Sequence, residues 1–319
     1  MKKAIKCGKL FDSEKGAVLD NMLVVIDGKD IAQVIPCPET LPGDCEVIDL
    51  SDSFVMPGLI DAHVHLGSTG TNADLTNSTH ALIGDLALRA VINARLDLEA
   101  GFTTVRDCGS SGFINISARK AIAAGLFPGA RIYASGGGIS STGGHGDLQL
   151  NPYMSSTMAT APVDSPYEAR RAARYNIKHG ADFLKCMATG GVMSAGTTVG
   201  AQQLTVDELE AIVEIANMYG VHTAAHAHGT GKQGGAAQAA VHGLISAQIH
   251  TGAPDLGALL GLVQGQDAGS QLACQVIEIL FLHLGPAAGR LIAGQQALAV
   301  DAVGAEELNF ALVQQTGRC

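Results

Sequence analysis

An α/β fold, a (β/α)8 TIM-type barrel preceded by a small N-terminal β domain, is predicted by three observations. From Met56 onward, apolar strand-like runs alternate with helical stretches. Residues with useful chemistry fall at the C-terminal ends of those runs. Residues 1–53 instead carry short apolar runs separated only by turns. Strand–helix alternation implies a parallel sheet, and functional side chains at strand C-termini favour a closed barrel over an open sheet. At 319 residues the chain is long enough for one large α/β domain plus a small one. Its 40 glycines suit the many tight strand-to-helix turns of such a fold.

The N-terminal β domain, residues 1–53, is read as an incomplete β-sandwich. Its strands are Ala4–Cys7, Met22–Ile26, Ile31–Ile35 and Glu46–Leu50, with a hairpin signal at Asp27-Gly28. The barrel domain, 54–319, opens with a Pro57-Gly58 turn and a buried strand, Leu59–His65. Further strands are Gly101–Arg106, Ala130–Ala134, Asp182–Met187 and Val221–His226. Between them lie helical stretches over Ala81–Ala100, Pro166–Gly180 and Thr205–Tyr219, the last begun by a capping-box pattern, Thr205-x-x-Glu208. Beyond about residue 230 the pattern becomes irregular: Lys232 is the last lysine, and Gly, Ala, Leu and Gln dominate. Leu244–His250 and Gln295–Asp301 are still read as strands.

Composition narrows the function. A formal charge of −10 excludes the basic footprint of a nucleic-acid binder and favours solubility. The seven cysteines are scattered and form no CxxC, which points to a reduced, cytoplasmic setting. Met1-Lys-Lys is followed by polar residues rather than an apolar stretch, so no signal peptide is expected. No membrane span is expected either, because Val276–Leu284 is short and contains Glu278 and His283. The partner class left is a small-molecule substrate.

The most informative stretch is Asp61-Ala-His63-Val-His65. Side chains two apart on a strand share a face, so His63 and His65 present two imidazoles side by side. Neutral imidazole is a good ligand for zinc and its neighbours in the first transition row. More candidate ligands follow at later strand ends. The glycine clusters Gly136–Gly138 and Gly143-Gly144 are followed by no Walker Lys-Ser/Thr and read as turns.

Five motifs together resemble the amidohydrolase superfamily, in its binuclear-metal branch of imidazolonepropionase-like and Xaa-Pro or Xaa-Arg dipeptidase-like members. They are Pro57-Gly-Leu-Ile-Asp-Ala-His-Val-His65, Gly101-Phe-Thr-Thr-Val-Arg-Asp107, Ser141-Thr-Gly-Gly-His-Gly-Asp147, Lys185-x-x-x-Thr-Gly-Gly191 and Ala225-His-Ala-His-Gly229. Weaker matches, Ile245–His250 and Ala297–Asp301, extend the likeness towards the end of the chain. Relatives continue with a C-terminal return to the β domain, so the chain reads as C-terminally truncated. On that reading Ala4–Cys7 and Met22–Ile26 are left as open strand edges, and homo-oligomerisation through the first 53 residues is expected.

The resemblance implies two divalent metal ions, zinc first among them. His63 and His65 would hold the first ion. An ammonium has donors and no lone pair, so Lys185 cannot ligate as such; in the family its counterpart is carboxylated by CO2, and the carbamate bridges both ions. An ordinary ion pair is its bland alternative. His226 would ligate the second ion with His250, which is preferred to His242. Asp301 would touch the first ion and act as general base, then general acid, or be an ordinary acid after an apolar run. His145 would stabilise the oxyanion or order its loop. His228 would contact substrate or be solvated. Two ions about 3.5–4 Å apart acidify a bridging water and polarise a scissile carbonyl. The implied function is a metal-dependent amidohydrolase cleaving a dipeptide or N-acyl amino acid. The rivals are a cyclic amidohydrolase of imidazolonepropionase type and an inactive, truncated relative.

Overall fold

The computed structural model describes residues 2–70, 81–147, 162–192, 194, 198–228, 246–250, 295–300 and 310–315, the last three segments by backbone pairing alone. The chain opens with four strands, β1 (Lys2–Asp12), β2 (Ala17–Asp27), β3 (Asp30–Pro36) and β4 (Cys45–Pro57). β1 and β2 pair antiparallel, as do β2 and β3 across the Asp27-Gly28 turn, where Gly28 takes φ +66°. The period-two rule explains why residues 22–26 are all buried. Met22, Val24 and Ile26 join Ile5, Leu10 and Val55 in one cluster, while Leu23 and Val25 pack with Ala4 in another.

The alternating region builds six parallel strands. β5 (Leu59–Val64), β6 (Phe102–Asp107) and β7 (Arg131–Ala134) form one sheet; β8 (Phe183–Met187), β9 (His222–His228) and β10 (Ser246–His250) form another. A bridge at Ile139 joins the second sheet to the loop after β7: Ile139 N–H donates to Lys185 C=O at 2.8 Å, and Ile139 C=O accepts from Met187 N–H at 2.9 Å. The crossovers are helical: α1 (Ile83–Glu99), α2 (Ile114–Ala123), α3 (Pro166–His179) and α4 (Val206–Tyr219). Leu86, Ala90 and Ala94 of α1 cover Val105 and Ile132. Ala169 and Ala173 of α3, with Leu209, Ile212 and Ile215 of α4, cover Leu184 and Ala225.

Two expectations are corrected. β1 lies between β4 and β2, and β2 between β1 and β3, so Ala4–Cys7 and Met22–Ile26 are interior strands rather than open edges. The reason is β4, which returns parallel to β1 and occupies its other side. The second correction concerns Gln295–Asp301, expected as a further parallel strand. β11 (Gln295–Val300) pairs antiparallel with β12 (Phe310–Gln315), and β12 pairs antiparallel with β4 through Phe310↔Pro57 to Val313↔Phe54. Residues 301–309 are too short a link for a parallel crossover, which takes a dozen or more residues. β4 also runs unbroken through position 53, where the domain boundary was expected.

Candidate metal centre

β5 departs from regular pairing where the His-x-His motif lies. Asp61 pairs with Val105 and Val64 with Asp107, so three steps along β5 oppose two along β6. Such a bulge re-aims the side chains it carries. It also leaves the Ala62 carbonyl to Arg106, whose Nε donates to it at 2.6 Å, while the guanidinium lies 5.5 Å from the Phe183 ring centre. His63 and His65 come together with Nε2 to Nε2 3.1 Å apart and ring planes at 69°. Two tetrahedral ligands at zinc–nitrogen distances of about 2.0–2.1 Å stand about 3.3 Å apart, so the pair is spaced as for one ion. His65 Nδ1 lies 2.8 Å from Gly109 C=O. A carbonyl only accepts, so Nδ1 carries the proton and Nε2 presents its lone pair.

Lys185 sits in the middle of β8, 1% exposed, and its Nζ has no hydrogen-bond partner among the described residues. Burial, reinforced by the Arg106 charge, holds its pKa below the usual lysine range, while Cys108 and Cys186 act in the opposite direction. The shift raises the neutral fraction of this amine relative to a solvent-exposed lysine. On β9, His226 is buried and its ring lies 4.6 Å from that of His228. His228 is fixed by its backbone N–H, which donates to Thr189 Oγ1 at 2.9 Å.

His145 arrives from the loop after β7, its ring 4.1 Å from His226. Nδ1 is 2.7 Å from Ser194 Oγ, and its backbone N–H donates to Gln203 Oε1 at 2.7 Å. Burial, first among its causes, pushes its pKa down to about 4. The structure thus brings His145, His226 and His228 into one cluster, the first pair tilted at 33° and the second edge-to-face at 66°. His250 stands opposite His228 in the β9–β10 register. His242 and Asp301 lie outside the described residues, though the strand before Asp301 belongs to the six-stranded sheet that contains β1–β4.

Among the described residues, no three His, Cys, Asp or Glu side chains gather to hold one ion. An orphaned, buried amine and a correctly spaced imidazole pair fit the implied metals. Sequence reasoning missed the residues that hold these groups: Gly109, Ser194, Gln203 and the buried carboxylate of Asp107. Neighbours on a strand face opposite ways: Arg106 Nε donates to Ala62 C=O, while the Asp107 carboxylate accepts from Leu66 N–H, Gly109 N–H and Asn115 Nδ2. Only Asp107, a charged residue ending an apolar strand, carried any signal in the sequence.

A family model described as the amidohydrolase family matches residues 54–266. The ochratoxinase of Aspergillus niger is 34% identical over 193 residues, 55% of this chain and 39% of its own length. A dihydroorotase of Pelotomaculum thermopropionicum is 28% identical over 229 residues, 67% of this chain and 50% of its own. Among solved structures, a Xaa-Pro dipeptidase with bound methionine superposes with TM-score 0.68 at 34% identity, over 77% of this chain and 61% of that one. The A. niger ochratoxinase structure gives TM-score 0.69 at 28% identity, over 82% and 63%. The chain thus spans about two-fifths to one-half of these curated relatives. With a match from the His-x-His strand through β10, the chain belongs to the amidohydrolase family.

Proposed function

We propose that this chain folds as a (β/α)8 barrel and is a metal-dependent amidohydrolase that cleaves the amide bond of a dipeptide or N-acyl amino acid. The barrel is supported by six parallel strands and by four helical crossovers joining β5 through β9. The observation that carries the chemistry is Lys185, a buried amine with no hydrogen-bond partner among the described residues, on the strand next to His226. The neutral amine adds through its lone pair to CO2; a nitrogen–carbon bond forms, one proton leaves, and a carbamate with two donor oxygens results.

His63 and His65 would hold the first divalent ion, His226 and His250 the second, and the Lys185 carbamate both. When bound, the ions, zinc first among them, polarise the scissile carbonyl and supply hydroxide near neutral pH. Ser194 Oγ–H donates to His145 Nδ1 in this reading, so His145 Nε2 carries the proton and serves as donor to the developing oxyanion. His228 contacts substrate; the general-base step expected of Asp301 needs a residue at the end of a barrel strand, and β11 lies in the sheet of β4 instead. The dihydroorotase likeness favours cyclic amides as the second substrate class. A reducing cytoplasm suits the five free thiols among the described residues, and homo-oligomers are proposed to pair through β3, an outer strand of the six-stranded sheet, since β1 and β2 are interior. No helix among the described residues is long and apolar enough to cross a membrane.

The test is a screen of dipeptides, N-acyl amino acids and cyclic amides with zinc-loaded protein, alongside Lys185→Ala. Turnover of a linear amide that the variant loses supports the reading. A metal-loaded chain inert to every amide would instead establish the inactive relative.

A further inference from the structure

Asp107 is fully buried at the end of β6, and its carboxylate is surrounded by donors. Oδ1 accepts from Gly109 N–H at 3.0 Å and Asn115 Nδ2 at 2.8 Å. Oδ2 accepts from Leu66 N–H at 2.8 Å, and Ser110 Oγ lies 3.1 Å and 2.9 Å from the two oxygens. A buried carboxylate needs such compensation, but the identity of the donors matters more than their number. Leu66 directly follows His65. Gly109 supplies the carbonyl that receives His65 Nδ1–H. Gly109 takes φ +131°, and a Cβ there would lie 3.4 Å from Gly138 N and 4.0 Å from His65 Cε1. One carboxylate therefore ties down both the backbone that carries His65 and the loop that sets its tautomer.

We infer that Asp107 is the positioning residue for the first metal ion, holding His65 Nε2 in its ligating state through Leu66 and Gly109. This rests on the proposed metal role of His63 and His65. Asp107→Asn keeps the shape but cannot keep both links. With its oxygen in the Oδ1 place, the amide NH2 meets Leu66 N–H. With its oxygen in the Oδ2 place, the NH2 meets Gly109 N–H and Asn115. Either arrangement frees one end of His65.

The experiment titrates full-length protein with zinc against a chelator and records the visible spectrum of the cobalt-substituted protein. The forms compared are wild type, Asp107→Asn, Ser110→Ala, His65→Asn and Ile212→Val. Asp107→Asn is expected to bind the first ion about 10–100-fold more weakly, with an altered cobalt spectrum. Ser110→Ala, which keeps the carboxylate, shows a smaller loss of the same sign and carries the test if Asp107→Asn does not fold. Ile212→Val, in the core remote from β5, lowers melting temperature without lowering affinity. Wild-type affinity and spectrum in Asp107→Asn, or in Ser110→Ala should the first variant not fold, would overturn the proposal alone. Equal zinc binding by wild type and His65→Asn would remove the metal reading, and the positioning role with it.

Discussion

A methyl group at Gly191 would lie 2.4 Å from His145 Cε1, closer than side-chain atoms approach, so Gly191→Ala must displace that ring. Displacement of a group that contacts the reacting carbonyl by about 1 Å costs about 100-fold in rate. Steady-state kinetics should show such a fall in kcat for Gly191→Ala, and none for Gly43→Ala, where nothing lies within 4 Å. Wild-type kcat in Gly191→Ala would remove His145 from the chemistry. The thiols give a second residue-scale prediction. Burial pushes Cys186 up to about 12 and, with the neighbouring Cys37, Cys7 up to about 11. Access and thiolate content both set the rate, so iodoacetamide at pH 8 should label the half-buried Cys37 and Cys45 well before the buried Cys7, Cys108 or Cys186, although partial burial and the Asp44 charge also raise Cys45. Peptide mapping of the folded protein reads this order directly.

At the scale of elements, α3 shows why parts of this chain were legible in advance. Ser165 accepts from Glu168 N–H, Pro166 opens the first turn, and Gly180 closes the helix at φ +100°. Ser165→Ala and Gly180→Ala should each lower stability by about 1 kcal/mol in urea unfolding. The helix ends are far apart, so the losses should add. α2 carries no such signals. It starts after Phe113, itself left-handed at φ 57°, and its N-cap makes no side-chain bond, so it went unpredicted. The capping box of α4 was visible in sequence, and Thr205 N–H does donate to Glu208 Oε2 at 2.8 Å. The pairing of His63 with His65 was legible from their two-residue spacing, and the rings do meet, with centres 4.9 Å apart, although a bulge in β5 sets their final aim. Asp107, Gly109 and Ser194 were not legible, because their roles depend on loops meeting across the sheet.

For the molecule as a whole, the misread tail is instructive. Gln295–Val300 has an apolar run and an acid after it, which local pattern cannot distinguish from a barrel strand. Pairing direction is set by the short link to β12, a long-range consequence. β12 covers β4 along Phe54–Pro57, and β4 leads through Gly58 straight into β5. Removing residues 310–319 should bare that edge and promote association; light scattering would show larger species, and an unchanged monodisperse profile would contradict the edge argument.

Lys185 is proposed to complete a two-metal site as a carbamate. Metal analysis of protein refolded with zinc, with and without CO2, tests it most directly. Close to two ions per chain are expected with CO2, clearly fewer without it, and fewer again in Lys185→Ala, with partial recovery on adding a short carboxylic acid. Metal content independent of both CO2 and Lys185 would contradict the account.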